Sequence, residues 1–128
     1  MKILYCDSDK YLLDIIAPVF RKAGHEIIVA ENCIIAIDQL RDEQFDVFIT
    51  GMLMPFHSGL EMIEIIRDNL KLALPIVVVT KVRDSKIRET AFTLGADSYL
   101  FKPLNPQLLY EVVEGLICKG AGRSRTAI

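Results

Sequence analysis

The sequence predicts a doubly wound α/β domain, a parallel sheet held between two layers of helices. Two observations carry this. Short apolar runs alternate with amphipathic helical patterns five times along the 128 residues, as consecutive βα units do. The run Ile76-Val77-Val78-Val79 is apolar at every position rather than at alternate ones, which marks a strand covered on both faces. The length suits one domain with a single core.

Strands are expected at 2–6, 26–30, 46–50, 76–80 and 97–101. The first helix is expected over 10–23, capped by Ser8 or Asp9. It carries one apolar face of Leu12, Leu13, Ile16, Val19, Phe20 and Ala23, and Gly24 ends it. Pro18 inside it removes a backbone bond to Asp14 and predicts a kink. The second helix spans 33–41 behind Asn32. The third spans 58–69, with Met62, Ile63 and Ile66 as its buried stripe. The fourth starts at Asp84 or Ser85, stops at Gly95 and buries Ile87, Ala91 and Leu94. The fifth has Asn105 as cap and Pro106 at its first position, and buries Leu109, Val113 and Leu116. Residues 119–128 hold two glycines, Lys119, Arg123 and Arg125 without periodicity. They read as a flexible basic tail or a linker stub after a domain of residues 1–118.

Composition excludes several classes. With 52% hydrophobic and 25% charged residues, the chain is too apolar for disorder. A net charge of -2 and a pI near 5.7 give no basic field for nucleic acid or an anionic membrane. No apolar stretch approaches the roughly 18 residues of a membrane span, and Met1-Lys2 leads into a strand rather than a secretory leader. The expected location is the cytoplasm. Cys6, Cys33 and Cys118 lack metal-ligand spacing. They read as reduced thiols, with Cys6 packed as a small apolar residue.

Five segments carry a resemblance. They are Lys2-Ile3-Leu4-Tyr5-Cys6-Asp7-Ser8-Asp9, Phe45–Thr50 running into Gly51-Met52-Leu53-Met54-Pro55, Ser58-Gly59, Val78-Val79-Thr80, and Gly95-Ala96-Asp97-Ser98-Tyr99-Leu100-Phe101-Lys102-Pro103. Together they resemble a response-regulator receiver domain of two-component signalling, over about residues 1–118. The resemblance implies a flavodoxin-like strand order, 2-1-3-4-5, with a site at the carboxyl ends of the strands. It also implies an aspartate that accepts a phosphoryl group at the position where this chain has Gly51. The chain therefore reads as an atypical receiver, a pseudo-receiver without the acceptor side chain.

Phosphoryl transfer to a carboxylate needs an acceptor oxygen, a divalent cation and donors for the phosphoryl oxygens. The resemblance places Asp7 at the first acidic position and Ser8 at the second, which in the family ligates the metal directly. Asp9 is expected to face outward. Leu53 still offers a backbone carbonyl. With hard carboxylate ligands reduced to one, Mg²⁺ binding is expected to be lost or very weak, and no other cofactor is expected. Thr80 and Tyr99 match the family's switch pair, and Lys102-Pro103 matches its cis Lys-Pro. Lys102 needs a carboxylate partner, and Asp7 is the one expected. Other acceptors fare poorly: Asp46 lies at the wrong end of its strand, Thr50 points away by strand alternation, and Ser58, next to His57, serves as a helix cap.

No catalytic residue is expected. Cys6-Asp7-Ser8-Asp9 holds no glycine-rich phosphate loop, and no nucleophile–base pair appears at the sheet edge. The expected function is signalling by protein–protein contact, independent of phosphorylation. The alternatives are a phosphorelay receiver with an unusual acceptor and a small-ligand sensor at the vacated pocket. The partner would be a signalling protein such as a histidine kinase or an output domain, or a second copy of the chain. Receivers signal through the face of the fourth helix, fifth strand and fifth helix. There Phe92, Tyr99, Phe101, Leu108 and Val112 are expected to form an exposed apolar patch edged by Arg83 and Arg88. Ile34 and Ile35 on the second helix are a competing surface.

Overall fold

A computed structural model describes residues 1–118 and the backbone of residues 126–127. In chain order the elements are β1 (Lys2–Cys6), α1 (Lys10–Lys22), β2 (Glu26–Ala30), α2 (Cys33–Asp42), β3 (Val47–Thr50), α3 (Gly59–Glu64), β4 (Ile76–Thr80), α4 (Ser85–Leu94), β5 (Ser98–Phe101), α5 (Pro106–Cys118) and β6 (Thr126–Ala127). The five long strands run parallel in the order β2-β1-β3-β4-β5. That is the order the resemblance implies.

Both faces of the sheet are covered. On one face Ile3, Tyr5, Ile49 and Val79 pack against Leu13, Ile16 and Phe20 of α1 and Leu109, Val113 and Leu116 of α5. On the other, Leu4, Cys6, Phe48 and Val78 pack against Cys33 and Ala36 of α2, Met62, Ile63 and Ile66, and Ala91 of α4. Every residue of β4 is buried, as its unbroken apolar run requires.

The helix boundaries follow local chemistry. Asp9 caps α1 by accepting from Leu12 N, and Asn32 caps α2 through Ile35 N. Ser58 and Glu61 form a reciprocal capping box at α3. Asn105 accepts from Gln107 N and Leu108 N ahead of α5. Gly95, at φ 127°, closes α4 in a backbone conformation that side chains other than glycine rarely adopt.

Some expectations need correction. The third helix ends in a π-helical turn, Ile65–Asn69, where Leu70 N bonds to Ile65 O. Arg67, within that turn, donates to the carbonyls of Leu72, Leu74 and Gly95, so the wide turn is fixed by side-chain donors. Only Ala91 of α4 is fully buried; Ile87 and Leu94 are half-buried, and Ala23 past α1 is exposed. The α1 helix continues through Pro18, which lies on its exposed side. The sheet also has a sixth member. Thr126–Ala127 pairs parallel with Ser98 and Tyr99 of β5, within the stretch read as a flexible tail. The other tail residues, 119–125 and 128, lie outside the described residues.

Candidate functional site

Parallel register builds the site at the carboxyl ends of the strands. Cys6 of β1 stands opposite Thr50 of β3, and Gly51 N bonds to Cys6 O at 2.9 Å. Asp7 and Gly51, each one residue past its strand, therefore lie side by side. Thr80 stands opposite Phe101, and Lys102 N bonds to Thr80 O at 2.9 Å, which brings Lys102 to the same edge. These segments enclose a cavity of about 220 Å³ lined by Asp7, Ser8, Asp9, Leu53, Thr80 and Lys102, among others.

Gly51 is not in the left-handed region, so its backbone conformation does not call for glycine. Space does. A Cβ at this position would lie 3.0 Å from the Cγ and Oδ1 of Asp7 and 3.1 Å from its Oδ2. The Asp7 carboxylate packs tightly beside the place where a residue-51 side chain would begin. Gly59 is tight for a related reason. Its N bonds to Met52 O at 2.7 Å, and an added Cβ would run into Gly51 O and Met52 Cα.

Charge in the pocket is arranged around Lys102. Its ammonium lies 3.0 Å from Asp7 Oδ2 and 3.6 Å from Asp9 Oδ2. The expected Lys102–Asp7 pair is present. Asp9 is a correction: it was expected to face outward, and instead caps α1 with Oδ1 while Oδ2 faces the ammonium. Asp7 is 2% exposed. Its Oδ1 accepts from Asp9 N, whereas Oδ2 has no hydrogen-bond donor among the described residues. Oδ2 is thus balanced by the nearby ammonium without aligned hydrogen-bond geometry. Beneath it Tyr5 is buried, and burial, then Asp7 and Asp9, push the Tyr5 phenol well above its ordinary range.

The remaining site residues fall into place. Ser8 is exposed and its hydroxyl donates to Leu53 O at 3.4 Å. Thr80 is buried and its Oγ1 accepts from Val82 N at 3.1 Å. Tyr99 is fully buried and donates to Val82 O at 2.9 Å, so both residues read as a switch pair are tied to Val82. The Lys102-Pro103 peptide is cis. Thr50 bonds to Gly51 O inside the core, away from the cavity. Asp46 accepts from Lys2 N at the opposite end of the sheet. His57 meets Glu61 at 3.2 Å. The capping bond from Ser58 N, then His57, holds the Glu61 carboxyl below its usual range.

The chain matches the response regulator receiver domain over residues 3–114. It belongs to that family. The receiver is 33% identical over 125 residues to the chemotaxis protein CheY homolog of Campylobacter jejuni, covering 95% of this chain and 96% of that one. It is 28% identical to the phosphate regulon transcriptional regulatory protein PhoB of Pseudomonas aeruginosa, spanning 98% of this chain and 56% of PhoB. Among solved structures it is similar to a two-component response regulator from Clostridium difficile, with a TM-score of 0.87, 29% identity and coverage of 94% and 97% of the two chains.

Receiver domains bind Mg²⁺ at the phosphorylation site, and the donor set here does not fit that ion well. Gly51 supplies no carboxylate and Ser8 has a hydroxyl turned to Leu53 O. The oxygens of Asp7 and Asp9 already face an ammonium. Among the described residues, no cluster of three or more His, Cys, Asp or Glu side chains could hold a metal.

The expected apolar patch is a second correction. Tyr99 is buried. Phe92, Phe101, Leu108 and Val112 are half-buried, because Phe92 and Phe101 pack on one core layer and Val112 on the other. Phe101 meets Tyr99 edge-on at 5.6 Å, and Arg83 stacks over it at 4.4 Å. Arg83 is exposed and Arg88 half-buried. A groove of about 240 Å³ runs past Arg83, Phe101, Pro103 and Leu108. The most exposed large apolar side chains lie elsewhere: Tyr11 at 85%, Leu53 at 74% and Phe56 at 73%, followed by Ile15, Ile34 and Ile35. The resemblance to receiver domains pointed to Ile34 and Ile35 but not to the two loop residues. Phe56, at φ 74°, is a bulky residue in the left-handed region, and no sequence signal marks it.

Among the described residues, no helix is long and apolar enough to cross a membrane.

Proposed function

We propose that this receiver passes its signal by protein–protein contact and does so without phosphorylation at residue 51. One observation carries the reading: residue 51 is a glycine at the site, and the Asp7 carboxylate, paired with Lys102, packs 3.0 Å from the position its Cβ would take. On this reading the acceptor side chain is missing, and the Asp7–Lys102 pair balances the charge in the pocket without a phosphoryl group. Receiver domains work with histidine kinases and output domains, and a partner of that kind fits here. Two surfaces suit the contact. One is the Arg83–Phe101 groove beside α4, β5 and α5, where a second copy could also dock. The other is the exposed apolar set of Ile34, Ile35, Leu53 and Phe56. This reading gives the domain no enzymatic role and places it in the cytoplasm.

The test is intact mass after incubation with Mg²⁺ and a small-molecule phosphodonor, beside the Gly51→Asp variant. The expected result is an unmodified wild type. A phosphoryl group on the wild-type chain would overturn the proposal and direct attention to another acceptor. Modification of the variant alone would show that the rest of the pocket still supports the chemistry.

A further inference from the structure

We infer that the exposed apolar surface made by Ile34, Ile35, Leu53 and Phe56 is the docking site for a basic amphipathic segment of another protein. The inference rests on the contact function proposed above and selects one of its two surfaces.

Separate segments are tied together at this surface. The Cys33 thiol, at the start of α2, donates to Pro55 O at 3.3 Å. The Ser8 hydroxyl donates to Leu53 O at 3.4 Å. The start of α2 and the β3–α3 loop are thereby joined, while the side chains of Ile34, Ile35, Leu53 and Phe56 stay exposed. Apolar surface gathered in this way marks an interaction site, where single scattered residues do not.

Phe56 is the decisive residue. His57 N bonds to Pro55 O at 2.9 Å, and Phe56 between them has φ 74°. That is a γ-turn of the strained kind. A phenylalanine resists the positive φ that glycine adopts freely. Its ring returns little to the fold, because the residue is 73% exposed. Strain of this kind clusters where a segment makes a functional contact.

The charges around the surface choose the partner. Asp38 is exposed one turn beyond Ile34, on the same face of α2. Glu31 is exposed just before that helix and pairs with Lys10 at 3.2 Å. Glu61 is exposed and meets His57, the residue after Phe56. Three carboxylates and one lysine give the rim a negative sign. A segment with apolar side chains flanked by Lys or Arg matches both the centre and the rim. Nucleic acid and anionic membrane would meet like charge here.

The experiment follows the fluorescence anisotropy of a labelled helical peptide of about 18 residues, with Leu on one face and Lys elsewhere. A Leu/Glu peptide of the same pattern is the comparison. The proteins are wild type, Phe56→Ala, Ile34→Gln, Asp38→Asn, Leu108→Gln and Glu89→Gln. The wild type should bind the Leu/Lys peptide at least about tenfold more tightly than the Leu/Glu peptide. Phe56→Ala should weaken binding by about tenfold or more and leave the urea midpoint close to that of wild type. Ile34→Gln and Asp38→Asn should weaken binding by smaller factors. Glu89→Gln, on α4, should leave it unchanged. Phe56→Gly should have a higher urea midpoint than Phe56→Ala, since glycine relieves the turn. Four results would overturn the inference: no binding of the Leu/Lys peptide by wild type, equal binding of both peptides, a loss at Leu108→Gln as large as at Phe56→Ala, or a midpoint that falls with the Phe56 ring. A wild type that sediments as a dimer, and that Phe56→Ala splits into monomers, would also overturn it and make a second copy the occupant. Phosphorylation of the wild type would end the proposed function without changing these binding results, so the two failures are told apart.

Discussion

Gly51→Asp tests the packing at the site most directly. The new Cβ would lie 3.0 to 3.1 Å from the Asp7 carboxylate atoms, closer than a relaxed contact, so Asp7 must give by a few tenths of an ångström. With Asp7 and Asp9 already beside Lys102, the new side chain puts three carboxylates around one ammonium. At about 4 Å and an effective dielectric near 20, two like charges repel by about 4 kcal/mol, and attraction of the new carboxylate to Lys102 offsets a similar amount. What remains is the cost of burying a second carboxylate beside a cation that is already shared. We expect the variant to be about 1–3 kcal/mol less stable than wild type in metal-free buffer. Mg²⁺ should recover part of the loss, about 1.4 kcal/mol at ten times its Kd, while leaving the wild type unmoved. Urea unfolding followed by circular dichroism, with and without Mg²⁺, reads both effects. A metal-free variant as stable as wild type would refute the argument, since Asp7 would then have room to spare.

Other outcomes follow from the same contacts. Gly59→Ala drives a methyl into Gly51 O and Met52 Cα and should cost about 1–3 kcal/mol by urea unfolding; an unchanged midpoint would mean the α3 start can move freely. Asp97→Ala removes the carboxylate that accepts from Ile76 N and Arg67. It should cost about 3 kcal/mol or more, because both donors are left in a largely buried place, and a loss below about 1 kcal/mol would count against that role. The Cys6 thiol is pushed up from its ordinary 9.0 to about 12, first by burial and then by Cys33 and Asp7. A thiol raised in the folded state contributes stability that is full below about pH 9 and is lost as pH climbs toward 12. The urea midpoint should therefore fall across that window, and a rise would contradict the assignment. In native protein near pH 8, a thiol-specific reagent should modify exposed Cys118 quickly and the buried Cys6 and Cys33 slowly; three equal rates would contradict it.

The sequence by itself determined the layer architecture, because the cues are local. Ile76–Thr80 reads as a two-sided strand from its composition alone. Asn32, Ser58 and Asn105 announce helix starts by bonding to backbone only two or three residues away. The key site residues were legible through the resemblance to receiver domains, which also implied a carboxylate partner for Lys102 and left Asp7 to fill it. Tertiary structure decided what depends on distance between separate segments. Whether Asp9 faced out or in was set by how closely Lys102 approaches the β1–α1 turn. Phe92, Phe101 and Val112 looked like a surface by periodicity, but the neighbouring elements that half-cover them come from remote parts of the chain. Arg67 gives no sign in the sequence that it will bind Gly95 O and the Asp97 carboxylate some thirty residues on. The Asp7 carboxylate pressed against the Gly51 backbone is of the same kind. The sequence shows that residue 51 is a glycine, and only the packing of β1 against β3 shows how closely the Asp7 carboxylate approaches it.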